Sequence, residues 1–121
     1  MNKMQALQQF WQDASGLIAY DETSVPDDAV LPYITYEATS DDFDNEVAAT
    51  ASLWYRSESW KSITEKEMMI ADYIGRGGRM VAYDGGAFWI KRANPWAQRM
   101  AEATDDTIRR IVLNASIEFI D

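Results

Sequence analysis

The sequence predicts an α+β domain: two helices packed on one face of a mainly antiparallel sheet of about five strands, in the order α-β-β-α-β-β-β. Three observations carry that prediction. Residues 107–120 alternate almost without fault, with Ile111, Leu113, Ala115, Ile117 and Phe119 on one face and Arg110, Asn114, Ser116 and Glu118 on the other. Side chains of an extended chain leave opposite faces in turn, so this is the period of a long, half-buried strand. Residues 3–19 instead place Met4, Leu7, Trp11, Ala14 and Ile18 at three- and four-residue steps, the period of an amphipathic helix. Finally, 121 residues with 47% hydrophobic content are enough for one core, so residues 1–121 are expected to form a single domain.

The first helix is expected to weaken at Gly16, which costs helix stability, and to stop near there. The stretch YDETSVPDDAVLP that follows is acidic and bounded by Pro26 and Pro32, and it reads as a surface loop. Residues 33–39 and 46–56 alternate again and are separated by the polar turn SDDFDNE, which suggests an antiparallel pair. In the second of these, Val47, Ala49, Ala51, Leu53 and Tyr55 share one face. A second helix is expected to start near Ser62, where Ser62-Ile63-Thr64-Glu65 fits a capping box, with Ile63, Ile70, Ala71 and Ile74 as its apolar stripe. Gly75, Gly77 and Gly78 should end it. Residues 79–92 read as a hairpin turning at Asp84-Gly85-Gly86. The segment ANPWAQRMAEATDD reads as a short irregular connection to the last strand.

Composition narrows the function classes. Eleven basic residues against 20 acidic ones give a net charge of −9, which disfavours binding to a phosphate backbone or an anionic membrane. Nucleic acid passing close by without being held is compatible with such a surface. The chain contains no cysteine and no histidine. A disulfide framework, Ser-His-Asp or Cys-His catalysis and the commonest zinc and haem ligands are therefore absent. The N-terminal segment is too polar for a signal peptide, and no run is long enough to span a membrane. A soluble intracellular domain is expected.

Candidate chemistry is sparse. Asp41, Asp42, Asp44 and Glu46 lack the glycine and the glutamate of a calcium loop, so the run reads as a solvated turn. Gly75-Arg76-Gly77-Gly78 follows a helix and precedes a strand, the wrong order for a phosphate loop, and reads as a helix cap. No pair of carboxylates is singled out for acid–base work. Tryptophan is more informative. Trp11 lies on the helix stripe and reads as core. Trp54 and Trp89 fall on the polar faces of their strands, and Trp96 follows Pro95. Aromatics on polar faces point to a protein interface, since Trp is enriched at the centres of such contacts. The competing reading is that Trp54 and Trp89 pack on each other across strands.

Taken together, LPYITYEATSDDF after a helix, ASLWYRSESWKSITE, IGRGGRMVAYDGGAFWI, and NPWAQRMAEATDD before a strand ending SIEFID resemble the small tail terminator, or tail completion, proteins of long-tailed bacteriophages. The resemblance runs from about residue 30 to the end and is one of pattern. It implies a non-enzymatic virion structural protein at the head–tail junction, assembled in the host cytoplasm. Such proteins form a hexameric ring that caps the tail tube, stops polymerisation of the major tail tube protein and meets the head connector. The resemblance implies no cofactor, metal or membrane, and DNA passes through the ring without specific binding. Candidate subunit or partner contacts are Asp41, Asp42, Phe43, Asp44, Trp54, Trp89 and Trp96. The rivals are another neck component, such as a head-closure or connector protein, and a small acidic protein that binds and inhibits a host protein.

Overall fold

The computed structural model of the chain describes residues 1–37, 46–101 and 105–120. Its elements are α1 (Lys3–Ser15), β1 (Ala19–Asp21), β2 (Tyr33–Tyr36), β3 (Val47–Arg56), α2 (Lys61–Ile74), β4 (Arg79–Tyr83), β5 (Gly86–Met100) and β6 (Ile108–Ile120). The six strands form one sheet in the order β1-β2-β3-β6-β5-β4. All neighbours are antiparallel except β1 and β2. The expected class is observed, with a strand more than expected. β1 is too short to show a period, and it is held by main-chain bonds from Ile34 N–H to the Ile18 carbonyl (3.1 Å) and from Glu22 N–H to the Tyr36 carbonyl (3.0 Å).

The alternating faces of β3 and β6 fall as expected. Ala49, Ala51 and Leu53 of β3 and Ile111, Leu113, Ala115, Ile117 and Phe119 of β6 are buried in one core with Ile63, Ile70 and Ile74 of α2. α1 adds Ala6, Leu7, Phe10, Trp11 and Ala14. Its buried stripe is thus rotated from the expected one: Met4 is exposed and Ile18, beyond the helix, is 60% exposed. α1 ends where expected, at Gly16, whose left-handed φ of 69° suits a residue without a side chain.

Two local expectations are corrected. The capping box lies on α1, not α2: Asn2 Oδ1 accepts from Gln5 N–H (2.9 Å) and Gln5 Oε1 accepts from Asn2 N–H (3.0 Å). α2 begins one residue before Ser62. Its N-cap, Trp60, makes no side-chain cap bond, and the Ser59 hydroxyl accepts from Lys61 N–H instead (3.0 Å). The stretch around Pro95 is not an irregular connection either, because β5 continues through it to Met100. The hairpin at Asp84-Gly85 closes as expected, with Tyr83 opposite Gly86.

A register change interrupts β5. Arg92 pairs with Ala115 and Ala97 with Leu113, so five steps of β5 oppose two of β6. The surplus is odd and inverts the pleat. Before it, Phe88 and Ile90 face the core; after it, Ala97 and Arg99 lie on that side, opposite Leu113 and Ile111.

α1 packs against β1 and β2 and also against β4, which sits at the other end of the sheet order. It therefore bridges the two edges of the sheet. No described helix is long and apolar enough to cross a membrane.

Candidate assembly surface

The face of the sheet away from the helices carries Tyr20, Tyr33, Thr35, Ser52, Trp54, Arg110 and, further along, Lys91, Trp89 and Glu118, by the pairing register. Trp54 is half-buried there. Its indole N–H donates to Thr35 Oγ1 (2.9 Å), and the Arg110 guanidinium lies 4.7 Å from its ring centre. Arg110 Nε also donates to Ser52 Oγ (3.2 Å). Thr35 and Ser52 are buried polar residues on this face, and these bonds satisfy them.

Trp89 is also half-buried on the uncovered face, opposite Glu118, with Met80 as its cross-strand neighbour on β4. Its indole nitrogen sits so close to Gly78 that a Cβ there would lie 2.7 Å away. Trp54 and Trp89 do not pack on each other. β6 separates them, and they oppose Arg110 and Glu118, eight residues or roughly 26 Å apart along that strand. Trp96 lies within the β5 irregularity, packed against the core, with its indole N–H buried and without a partner among the described residues. Asp41, Asp42, Phe43 and Asp44 lie outside the described residues, as does most of the run weighed as a calcium loop. Among the described residues, no group of three or more acidic side chains is placed to hold a metal ion.

Sequence reasoning passed over Trp60. The guanidinium carbons of Arg99 and Arg109 lie 4.9 and 5.3 Å from its ring centre. Arg109 also donates to the carbonyls of Asp106 and Glu58. Arg99 reaches Trp60 only because the pleat inversion turns it to the helix side. Nothing short of the register would have signalled that.

Several acids are occupied structurally. Asp21 and Asp105 each begin an Asp-x-Thr turn. Asp21 Oδ1 accepts from Thr23 N–H (2.9 Å) and from its hydroxyl (2.7 Å), and Asp105 Oδ1 does the same with Thr107 (2.9 and 2.6 Å). These bonds favour the charged carboxylate, so both groups titrate below the ordinary aspartate value. With Arg56 (3.1 Å) added, Asp105 falls to about 2. Lys91 pairs with Glu46 across β6 (2.6 Å), and that contact raises its pKa.

Charge is also distributed unevenly along the chain. Residues 1–55 contain one basic and ten acidic residues, which account for the whole net charge of −9; residues 56–121 contain ten of each. The fold turns this into a spatial asymmetry. β1, β2 and the 22–32 loop belong to the acidic half, while β4, β5 and β6 belong to the balanced half.

The two edges of the sheet differ as well. At β1, Gln12 Oε1 accepts from Ala19 N–H (3.3 Å) and Gln8 Nε2 donates to the Ala19 carbonyl (3.0 Å). At β4, a groove of about 210 Å³ separates the strand from α1, lined by Val81, Ala82, Ala6, Gln9, Phe10, Asp13, Tyr73 and Met1. A two-residue turn that pairs Tyr83 with Gly86 leaves the backbone groups of Met80 and Ala82 pointing away from β5, toward that open side.

No protein-family model matches the chain, and no curated protein matches it. Among solved structures, the chain is similar to one from the "Virion of native gene transfer agent (GTA) particle". The TM-score is 0.64 at 15% sequence identity, over 98% of this chain and 95% of that one. At that identity the likeness establishes a shared fold.

Proposed function

We propose that the protein is a structural subunit of a phage-like virion and, more finely, a tail terminator whose identical copies form a ring on the end of the tail tube. The observation that carries this reading is the near end-to-end correspondence with a chain from a gene transfer agent virion. The likeness covers 98% of this chain and 95% of that one, so it involves the whole fold described above. The chain pattern that resembles tail terminators points the same way, independently of any fold comparison. A sheet face bearing Trp54 and Trp89, with exposed Met80, Met100 and Ile120, supplies material for subunit contacts. The strong negative charge suits a conduit that DNA must cross without adhering.

The test is tail assembly. The protein is co-expressed with its neighbouring tail tube protein, and tube lengths are measured by electron microscopy. Tubes of limited length with a ring of this protein at one end are expected. Unchecked tubes that carry none of it would reject a terminator and favour either another neck component or a binder of host proteins.

A further inference from the structure

We infer that the groove between α1 and the β4 edge is an acceptor for the 22–32 loop of a second copy of the chain, with the Val30 side chain as the anchor. The inference deepens the ring reading and rests on it.

The acceptor has three complementary parts. Its strand wall presents the main-chain donors and acceptors of Met80 and Ala82, the requirement for adding an extended segment to a sheet edge. Its lining includes the apolar side chains of Ala6, Phe10, Tyr73 and Val81 around an open groove of about 210 Å³, with room for an aliphatic side chain and part of the backbone beside it. Beside it sits one fixed cation: Arg79 lies 3.8 Å from the ring centre of the lining residue Tyr73 and donates to the Tyr73 carbonyl (2.9 Å). The acid on the α1 wall, Asp13, is already hydrogen-bonded to Gln9 (2.8 Å).

The loop matches each part. Val30 is 80% exposed, more than any other large hydrophobic residue described. Residues 22–32 form neither helix nor strand; the N–H groups of Glu22, Thr23, Ser24 and Ala29 are bonded within the chain, so the short stretch at Val30 and Leu31 is the part offered for pairing. The loop carries Glu22, Asp27 and Asp28 and no basic residue. Those carboxylates suit Arg79 and would repel the same loop of another copy. A contact of this kind joins two different surfaces of identical chains. It is heterologous, the class of contact that builds a ring when the rotation between neighbours closes.

The chain has no cysteine, so introduced thiols report the contact cleanly. Val30→Cys and Ala82→Cys variants, both changed at exposed positions, are mixed, assembled with the tail tube protein and treated with a short bismaleimide. Covalent dimer is expected from the mixture and not from either variant alone, and it should be lost when the Ala82→Cys chain is mixed with a chain carrying Val30→Asp as well as Val30's neighbour Ala29→Cys. Electron microscopy of the same samples reads tube capping separately. Capped tubes without the cross-link overturn this inference and leave the ring standing. A cross-link on uncapped tubes supports the contact and rejects the terminator. Neither cross-link nor capping overturns both.

Discussion

At the β1 edge, Gln8 and Gln12 reach from α1 to both backbone groups of Ala19. At the β4 edge, one position further round the same helix, Gln9 and Asp13 bond to each other and leave a groove between helix and strand. An uncovered strand edge is a template for pairing with other chains, and side-chain amides are an economical way to close one. The contrast teaches that α1 is more than a cover for the core. It seals one side of the sheet and leaves the other able to accept a strand, which restricts edge-to-edge association to a single site.

The most drastic way to break this comparison is to remove the core beneath both edges. Leu113→Asp places an unpaired charge at a fully buried position of β6, at a cost of more than about 4 kcal/mol. Loss of the cooperative thermal transition is expected, and a folded variant would show that this face of β6 is not the core. Next comes the entry to β4. Gly78 has φ 93°, and a Cβ there would meet the Ile90 carbonyl oxygen at 2.7 Å. Gly78→Ala should destabilise by about 1–3 kcal/mol in denaturant unfolding, with the amides of β4 losing hydrogen-exchange protection ahead of those of β1.

The amides themselves sharpen the contrast. Gln12→Ala leaves Ala19 N–H without its acceptor and should cost about 1 kcal/mol, with faster exchange at Ala19. Gln9→Ala removes an exposed bond on the open side and should cost only about 0.3 kcal/mol. Equal effects would mean that the two edges are not distinguished by α1.

Acid should act through the Asp-x-Thr turns. The Asp105 carboxyl titrates near 2 in the folded chain, below the ordinary 3.8. Its contribution is therefore complete above pH 3.8 and is lost as pH falls through about 2. Asp21, beside the sealed edge, shifts in the same direction. Asp105→Asn should flatten the acid limb of a stability–pH profile in that window.

Much of this organisation was legible in the residues, wherever a long period was uninterrupted. The buried faces of β3 and β6, the stripe of α2, the stop at Gly16 and the turn at Asp84-Gly85 all follow from spacing or from glycine chemistry. β1 was not legible because three residues cannot establish a period, and its parallel pairing depends on a partner distant in sequence. β5 was hidden because its inward residues change from even to odd numbers between Arg92 and Ala97, so a search for alternation stops there. The cap of α2 was misassigned because Ser62-x-x-Glu65 fits the motif while Ser59 makes the bond to Lys61. At the candidate surface, the polar-face positions of Trp54 and Trp89 could be read in advance. The groove could not, since it exists only where α1 meets a strand nearly 70 residues away in sequence.

The odd surplus in β5 also sets a rule for how the chain can vary in length. If the outer half of the strand slid along β6 to absorb the gain or loss of one residue between Arg92 and Ala97, Arg99 would leave Trp60 for the uncovered face, and Gln98 (on a gain) or Met100 (on a loss) would take its place on the helix side. A change of two would move every side chain along its own face. Natural insertions and deletions in that segment should accordingly come in pairs, a parity constraint that sequences of related chains would display directly.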